Sequence, residues 1–328
     1  MRTIARSLGI ATSTVSRALR DDATISATVR QQIRRTARSL GYRPNPLVST
    51  LMAQLHVQRR RADPHHIAWI DLWPSDNASA QLLLFNPLLQ GARIRARELG
   101  YGIEVHKPVQ SGIDPSRLRQ ILLARSQWGI VIPPVPETAR HYDLTVEGFA
   151  AVTIGTSLHT PLMHRVSPDL YQGGQLACSE LRQRGCRRIG LVLTHSMSDR
   201  VEGKWLGAYL AEQQQWPAKE RLPPLLCPTG QQAAFQRWFG QNKPDAILLA
   251  EAQVENWLTK AKPAGGAVVT AWLLLEQKNS RKQGVDYRGE KIGAAAIEVV
   301  VGQIHRNERG SPTIPNSLLM QGVWAGGR

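Results

Sequence analysis

Residues 1–61 hold twelve arginines, no lysine, no glutamate and two acids, Asp21 and Asp22. Less than a fifth of the chain thus carries about ten of its +16 net charge. Inside this block runs TIARSLGIATSTVSRALRDD. Ile4, Ala5 and Leu8 give a short helix one apolar face, and Thr3 can cap it. Gly9 tolerates the positive φ of a tight turn, and Ile10 fills that turn. Val15, Ala18 and Leu19 then recur at i, i+3 and i+4 on a second helix, about Thr12 to Arg20. Its outward residues, Thr12, Ser13, Ser16, Arg17 and Arg20, are all hydrogen-bond donors. A helix–turn–helix this basic and this short can fold only as a small all-α unit suited to DNA phosphates and base edges.

A third helix follows. Ser26 is its N-cap, Val29, Ile33, Ala37 and Leu40 form its apolar stripe, and Gly41 ends it. Arg30, Arg34, Arg35 and Arg38 occupy its other face. The competing reading is a merely solvated helix face, and the lack of compensating glutamate argues against it.

The rest of the chain is nearly charge-balanced. At 328 residues and 42% apolar, it has room for two or three domains with sizeable cores. Cys178, Cys186 and Cys227 form no CxxC pair and cannot all pair with one another, which favours a reducing cytoplasm. The sequence contains no run of eighteen apolar residues and no signal-peptide core, so no membrane partner is expected.

The segments LGIATSTVSRAL, ISATVRQQI and LGYRPNPLVSTL resemble the head of the LacI/GalR (lac repressor) family of bacterial transcription regulators. The resemblance places Thr12, Ser13 and Arg17 at base edges in the major groove, and Thr14 and Ser16 on phosphates. Ala11 stands where the family has a capping serine. After Pro44 and Pro46, LVSTLMAQL can form two helical turns with Leu47, Leu51 and Leu55 on one side, marginal alone. The family uses this segment as a hinge helix. Asn45 matches the asparagine preceding it, and Leu51 the leucine that wedges into a minor-groove step. A core helix of the next domain is the alternative.

From His66 onward, apolar runs alternate with helical patterns, which predicts parallel α/β sheets. The alternation occurs twice in series. This resembles the type I, periplasmic-binding-protein-like effector domain of the same family, with a ligand cleft between two parallel-sheet subdomains. The expected organisation is a helix–turn–helix head over 1–43, a hinge and linker over 44–63, and an effector-binding and dimerisation domain over 64–328. Its first subdomain spans about 64–157 and 286–312. The second spans about 158–285 and 313–328, including a tail strand near 317–324.

The stretch VSPDLYQGGQLACSELRQRGCRRIGLV carries the family's match at the cleft. It nominates Asp169 as a cleft acid and, by register, Arg200 as a ligand-holding arginine. Asp71 and Trp73 lie at the end of a strand, where open α/β sheets bind ligands. Glu251, Trp272 and Tyr287 stand where the family has asparagine, acid and glutamine positions, so the usual sugar-holding set is partly replaced. Tryptophans at such places are equally suited to core packing.

The resemblance implies a cytoplasmic homodimer, a repressor binding a palindromic double-stranded operator, with a carbohydrate or related metabolite as effector and no cofactor. The competing class is an α/β enzyme with an accessory DNA-binding head. Against it, the chain has no phosphate-binding P-loop, no H-E-x-x-H and no G-x-S-x-G. The pair His65–His66 is no metal motif by itself.

Overall fold

The computed structural model describes residues 2–19, 25–40, 65–75, 85–261, 267–275 and 282–326. The head comprises α1 (Arg2–Leu8), α2 (Thr12–Leu19) and α3 (Ala27–Ser39). Gly9, at φ 64°, lets α1 stop. Its N–H reaches the Arg6 carbonyl at 3.4 Å, while Ile10 N–H reaches Ala5 at 3.0 Å, closing the two-bond C-terminal cap of a left-handed glycine. Ser26 Oγ accepts from Val29 N–H at 3.4 Å and caps α3. Ile4, Ala5, Val15, Ala18, Ile33 and Ala37 close a core of six buried residues. Leu40, assigned to the α3 stripe from its spacing, is 47% exposed. The hinge segment, Gly41 and Arg20 lie outside the described residues.

Two six-stranded sheets follow, each covered by helices on both faces. The first takes β1 (His65–Ile70), β2 (Tyr101–His106), β3 (Gly129–Ile132), β4 (Ala150–Ile154), β5 (His164–Pro168) and β11 (Ser317–Met320). Their order is β11-β5-β4-β3-β1-β2, parallel throughout. The second takes β6 (Ile189–Thr194), β7 (Leu225–Cys227), β8 (Ala246–Leu249), β9 (Val269–Trp272), β10 (Gly284–Asp286) and β12 (Val323–Ala325), in the order β12-β10-β9-β8-β6-β7. Only β12 runs antiparallel, against β10. The buried strands are near-continuous apolar runs, as sheets covered on both faces require.

On one face of the first sheet lie α4 (Phe85–Glu98) and α11 (Gly289–Arg306). They cross so closely that a Cβ on Gly293 would sit 1.9 Å from the Leu88 carbonyl oxygen. On the other face, α5 (Pro115–Ala124) buries Leu118 and Leu122 against Ile70, Ile130 and Ile132. The second sheet packs α6 (Leu170–Gln183) and α8 (Lys204–Gln213) on one face. Opposite lie α9 (Gln232–Asn242) and α10 (Ala252–Ala261), whose Phe235, Trp238 and Trp257 meet Val192, Ile247 and Leu249. The short α7 (His195–Arg200) follows β6 directly.

The subdomain boundaries differ from those expected. Residues 164–168, assigned to the second subdomain, pair with β4 in the first sheet. The tail near 317–324 is two strands, not one. Ser317–Met320 joins the first sheet beside β5, and only Val323–Ala325 joins the second. The strands concerned are three to five residues long, His164 and Arg165 break the apolar signal of one, and the leucines of another, Leu318 and Leu319, are exposed although their sequence reads as buried. With strands this short, pairing across the sheet decides membership more than local pattern does.

Candidate nucleic-acid interface and interlobe cleft

In the head, α2 packs its inner face through Val15 and Ala18, both fully buried. The same 3.6-residue period leaves Thr12 and Arg17 exposed and Thr14 half-buried. Ser13 and Ser16 lie on the same helix. The helix has no side-chain cap residue at Ala11, whose backbone carbonyl accepts from Thr14 and Val15 at 3.0 and 3.2 Å. Arg6 and Arg17, in the last turns of α1 and α2, sit where the helix dipoles favour cations. Asn45 and Leu51 lie outside the described residues.

The carboxyl ends of the strands of both sheets face one another, and this junction brings together part of the expected ligand set. Asp71 is buried just beyond β1, and its Oδ1 accepts from Trp73 N–H at 3.0 Å. Trp73 is pinned by its Nε1, which donates to the Pro134 carbonyl at 2.8 Å. From the other lobe comes Arg200, the last residue of α7. Its guanidinium lies 5.7 Å from the Trp73 ring centroid, and Nη1 donates to the Val135 carbonyl at 2.9 Å. Thr156 Oγ1 donates to the Arg200 carbonyl at 2.8 Å, and Ser196 Oγ to Glu137 at 3.3 Å, so three hydrogen bonds and one ring contact bridge the lobes here. Burial, followed by the charge of Arg140, lowers the Arg200 pKa, while Glu137 opposes that shift.

Two further acids occupy junction positions with partners of their own. Asp169 caps α6, accepting from Gln172 N–H at 3.0 Å, and its own N–H donates to Met320. Glu251, just past β8, accepts from Thr194 N–H at 3.0 Å, Thr194 Oγ1 at 3.1 Å and Gln253 at 3.0 Å. Thr194 Oγ1 in turn accepts from Met197 N–H at 3.1 Å and starts α7. Glu251 therefore sets the position of the segment that carries Arg200.

Trp272 and Tyr287 are not brought to the cleft. Trp272 is packed among Phe235, Trp257 and Leu249 in the outer layer of the second lobe, with Lys282 Nζ 4.1 Å from its ring centroid. Tyr287 is fully buried; its Oη accepts from Trp205 Nε1 at 3.4 Å and faces Gly173. Burial raises its pKa, so it stays a neutral phenol in the core. Each stands near the end of a strand, but side-chain direction alternates along that strand, and here it points inward. Sequence reading missed Glu137, Arg140 and Thr156. The rule that strand carboxyl ends form the crevice would have found them, because PPVPETAR directly follows β3 and Gly155–Thr156 directly follows β4.

Among the described residues no group of three or more His, Cys, Asp or Glu is placed to hold a metal ion. Cys178, Cys186 and Cys227 are buried thiols, and burial raises the pKa of each.

Residues 1–45 match the family model for bacterial regulatory proteins, lacI family. Over 193 residues the chain is 23% identical to the HTH-type transcriptional regulator MalR of Streptococcus pneumoniae, covering 58% of this chain and 56% of that protein. The chain thus spans about half the length of the curated relatives it matches. Among solved structures, the transcriptional regulator CelR–cellobiose complex has a TM-score of 0.54 at 18% identity, covering 98% of this chain and 96% of the other. The lac repressor dimer bound to operator and the anti-inducer ONPF gives 0.54 at 16% identity, with the same coverage. A periplasmic binding protein/LacI transcriptional regulator from Alkaliphilus metalliredigens, complexed with D-xylulofuranose, gives 0.52 at 15%, covering 79% and 97%. Residues 1–45 are thus similar to the lacI-family head, and the two-lobed α/β body behind them shares its fold with these solved structures.

Proposed function

We propose that this chain is a sequence-specific DNA-binding transcription regulator, acting as a repressor in the cytoplasm, whose operator affinity a small metabolite in the interlobe cleft controls. The observation that carries the reading is the exposure of Thr12 and Arg17 on α2 while Val15 and Ala18 of the same helix close into an apolar core. Arg17 offers two parallel donors to a guanine, and Thr12 and Ser13 offer short contacts to neighbouring bases. Thr14 and Ser16 hold phosphates and fix orientation. Residues 44–63 form the hinge in this reading, with Leu51 wedging a base step open after Asn45.

A homodimer built along the lobes would present two heads to a near-palindromic operator with half-sites about one helical turn apart. The effector and the DNA bias one equilibrium between lobe arrangements, so each changes the affinity of the other by the same factor. A sugar is the effector class suggested by the cellobiose and D-xylulofuranose held in the solved neighbours.

The test is selection from random duplexes by the full chain, followed by titration over a range of salt. One inverted repeat should emerge, with affinity falling steeply as salt rises. Equal, weak binding to every duplex would overturn the reading.

A further inference from the structure

We propose that the cleft takes a negatively charged effector, a small metabolite bearing a carboxylate or a phosphate, gripped between Arg140 and Arg200. This deepens the sensor reading above and rests on it. The argument is an inventory of what the junction still lacks. Its acids are engaged: Asp71 by Trp73, Asp169 by Gln172, and Glu251 by three donors. A carboxylate has about four acceptor sites, so these contacts answer part of each acid's capacity and leave it with no strong deficit.

The arginines are the opposite case. Arg200 uses Nη1 on the Val135 carbonyl, while its buried Nη2 has no acceptor. Arg140 has a buried Nε without an acceptor, and its Nη2 lies 3.9 Å from Glu137, beyond hydrogen-bond length. Glu137 is 65% exposed and also accepts from Ser196. The carboxylate nearest Arg140 is thus one that water largely screens, and no carboxylate pairs with Arg200 among the described residues. Buried N–H groups without acceptors are unfavourable, and so are like charges in a low-dielectric junction. An oxyanion answers both deficits, because it supplies several acceptors and cancels charge, the strongest match for guanidinium groups. Trp73, under Arg200, holds the fork in place and gives the carbon skeleton of the ligand a flat apolar wall. The lowered pKa of Arg200, with Arg140 among its causes, agrees with an excess of positive charge.

The experiment is calorimetry and thermal denaturation of the full chain with matched ligands: neutral sugars, the corresponding sugar acids and the corresponding sugar phosphates. At least one acid or phosphate should bind at least about tenfold more tightly than its neutral parent. Arg140→Gln should remove that preference, and Arg140→Lys should keep most of it. The carboxylate and phosphate arms tell the two ligand types apart. Without ligand, Arg140→Gln should raise the melting temperature, because it relieves the unmatched pair. Arg200→Gln is the second variant and should also abolish the preference. A neutral sugar binding as well as its acid, unaffected by Arg140→Gln, overturns the charge assignment and leaves the sensor reading intact. So does failure of every acid and phosphate to bind. Tight acid binding that leaves operator titration unchanged supports the charge assignment and overturns the sensor reading instead.

Discussion

In the head, the groups offered to a partner sit on one turn after another of a single helix, Thr12–Leu19. At the junction between the lobes, the polar groups come from segments after six strands, on two sheets, with Asp71 and Arg200 far apart in the chain. The head keeps its polar face exposed and its apolar face closed, so structure and recognition use different residues. In the cleft, the residues expected to hold a ligand also carry structural contacts. Glu251 and Asp169 start or position helices, and Arg200 latches one lobe to the other. A surface written along one helix tolerates change residue by residue, whereas an assembled junction changes as a unit.

This contrast can be broken most decisively at the head core. Ile33→Ala removes a fully buried side chain from a core of six residues and should cost about 2–5 kcal/mol. Operator binding should vanish while the main thermal transition of the lobes stays put. A shift of that main transition would show that the head is not an independent folding unit. Gly173→Ala should act in the reverse sense. Its Cβ would meet Tyr287 Oη at 1.8 Å, so the second lobe should lose up to about 3 kcal/mol through overpacking. Calorimetry of the main transition reads this, and an unchanged profile would mean that Tyr287 can move aside.

Arg17→Ala sharpens the comparison, because it should separate affinity from stability. Operator binding should weaken by about 1–3 kcal/mol and specificity relax at one base pair. The head should not lose stability, since alanine is the better helix former. Wild-type affinity in a titration of this variant would remove Arg17 from the reading face.

The smallest effect lies on the edge strand β2 of the first lobe. Burial lowers the His106 pKa, outweighing the hydrogen bond that its Nε2 donates to Gln127 Oε1 at 2.8 Å. The unfolded chain then binds a proton before the folded one does. The stability contribution of His106 is complete above the ordinary imidazole value of about 6.5 and is lost as pH falls through the folded value. His106→Gln should flatten melting temperature against pH between about 7 and 5. An unchanged slope would assign the acid sensitivity to another group.

The degree to which each part is legible in the sequence follows from the same contrast. In the head, Thr12, Val15, Arg17 and Ala18 face as a helix period and one glycine predict, because a short helix fixes which side chains point out. The α/β alternation gave the two sheets. It could not assign 164–168 and 317–320, since short strands with a histidine, an arginine and exposed leucines take their place only from neighbours distant in sequence. In the cleft, Asp71, Trp73 and Arg200 were legible from strand ends and family register. Trp272 and Tyr287 were misleading for a physical reason: a large aromatic near a strand end satisfies a core as readily as a crevice, and the direction of the pleat decides.

The order of strands has a consequence for synthesis. The core of the head is complete once Ala37 has been made, whereas each sheet lacks an edge strand until residues 317–325 exist. Domains fold as units while the chain lengthens. During translation, therefore, the surface suited to DNA can form long before the two lobes that would govern it are closed.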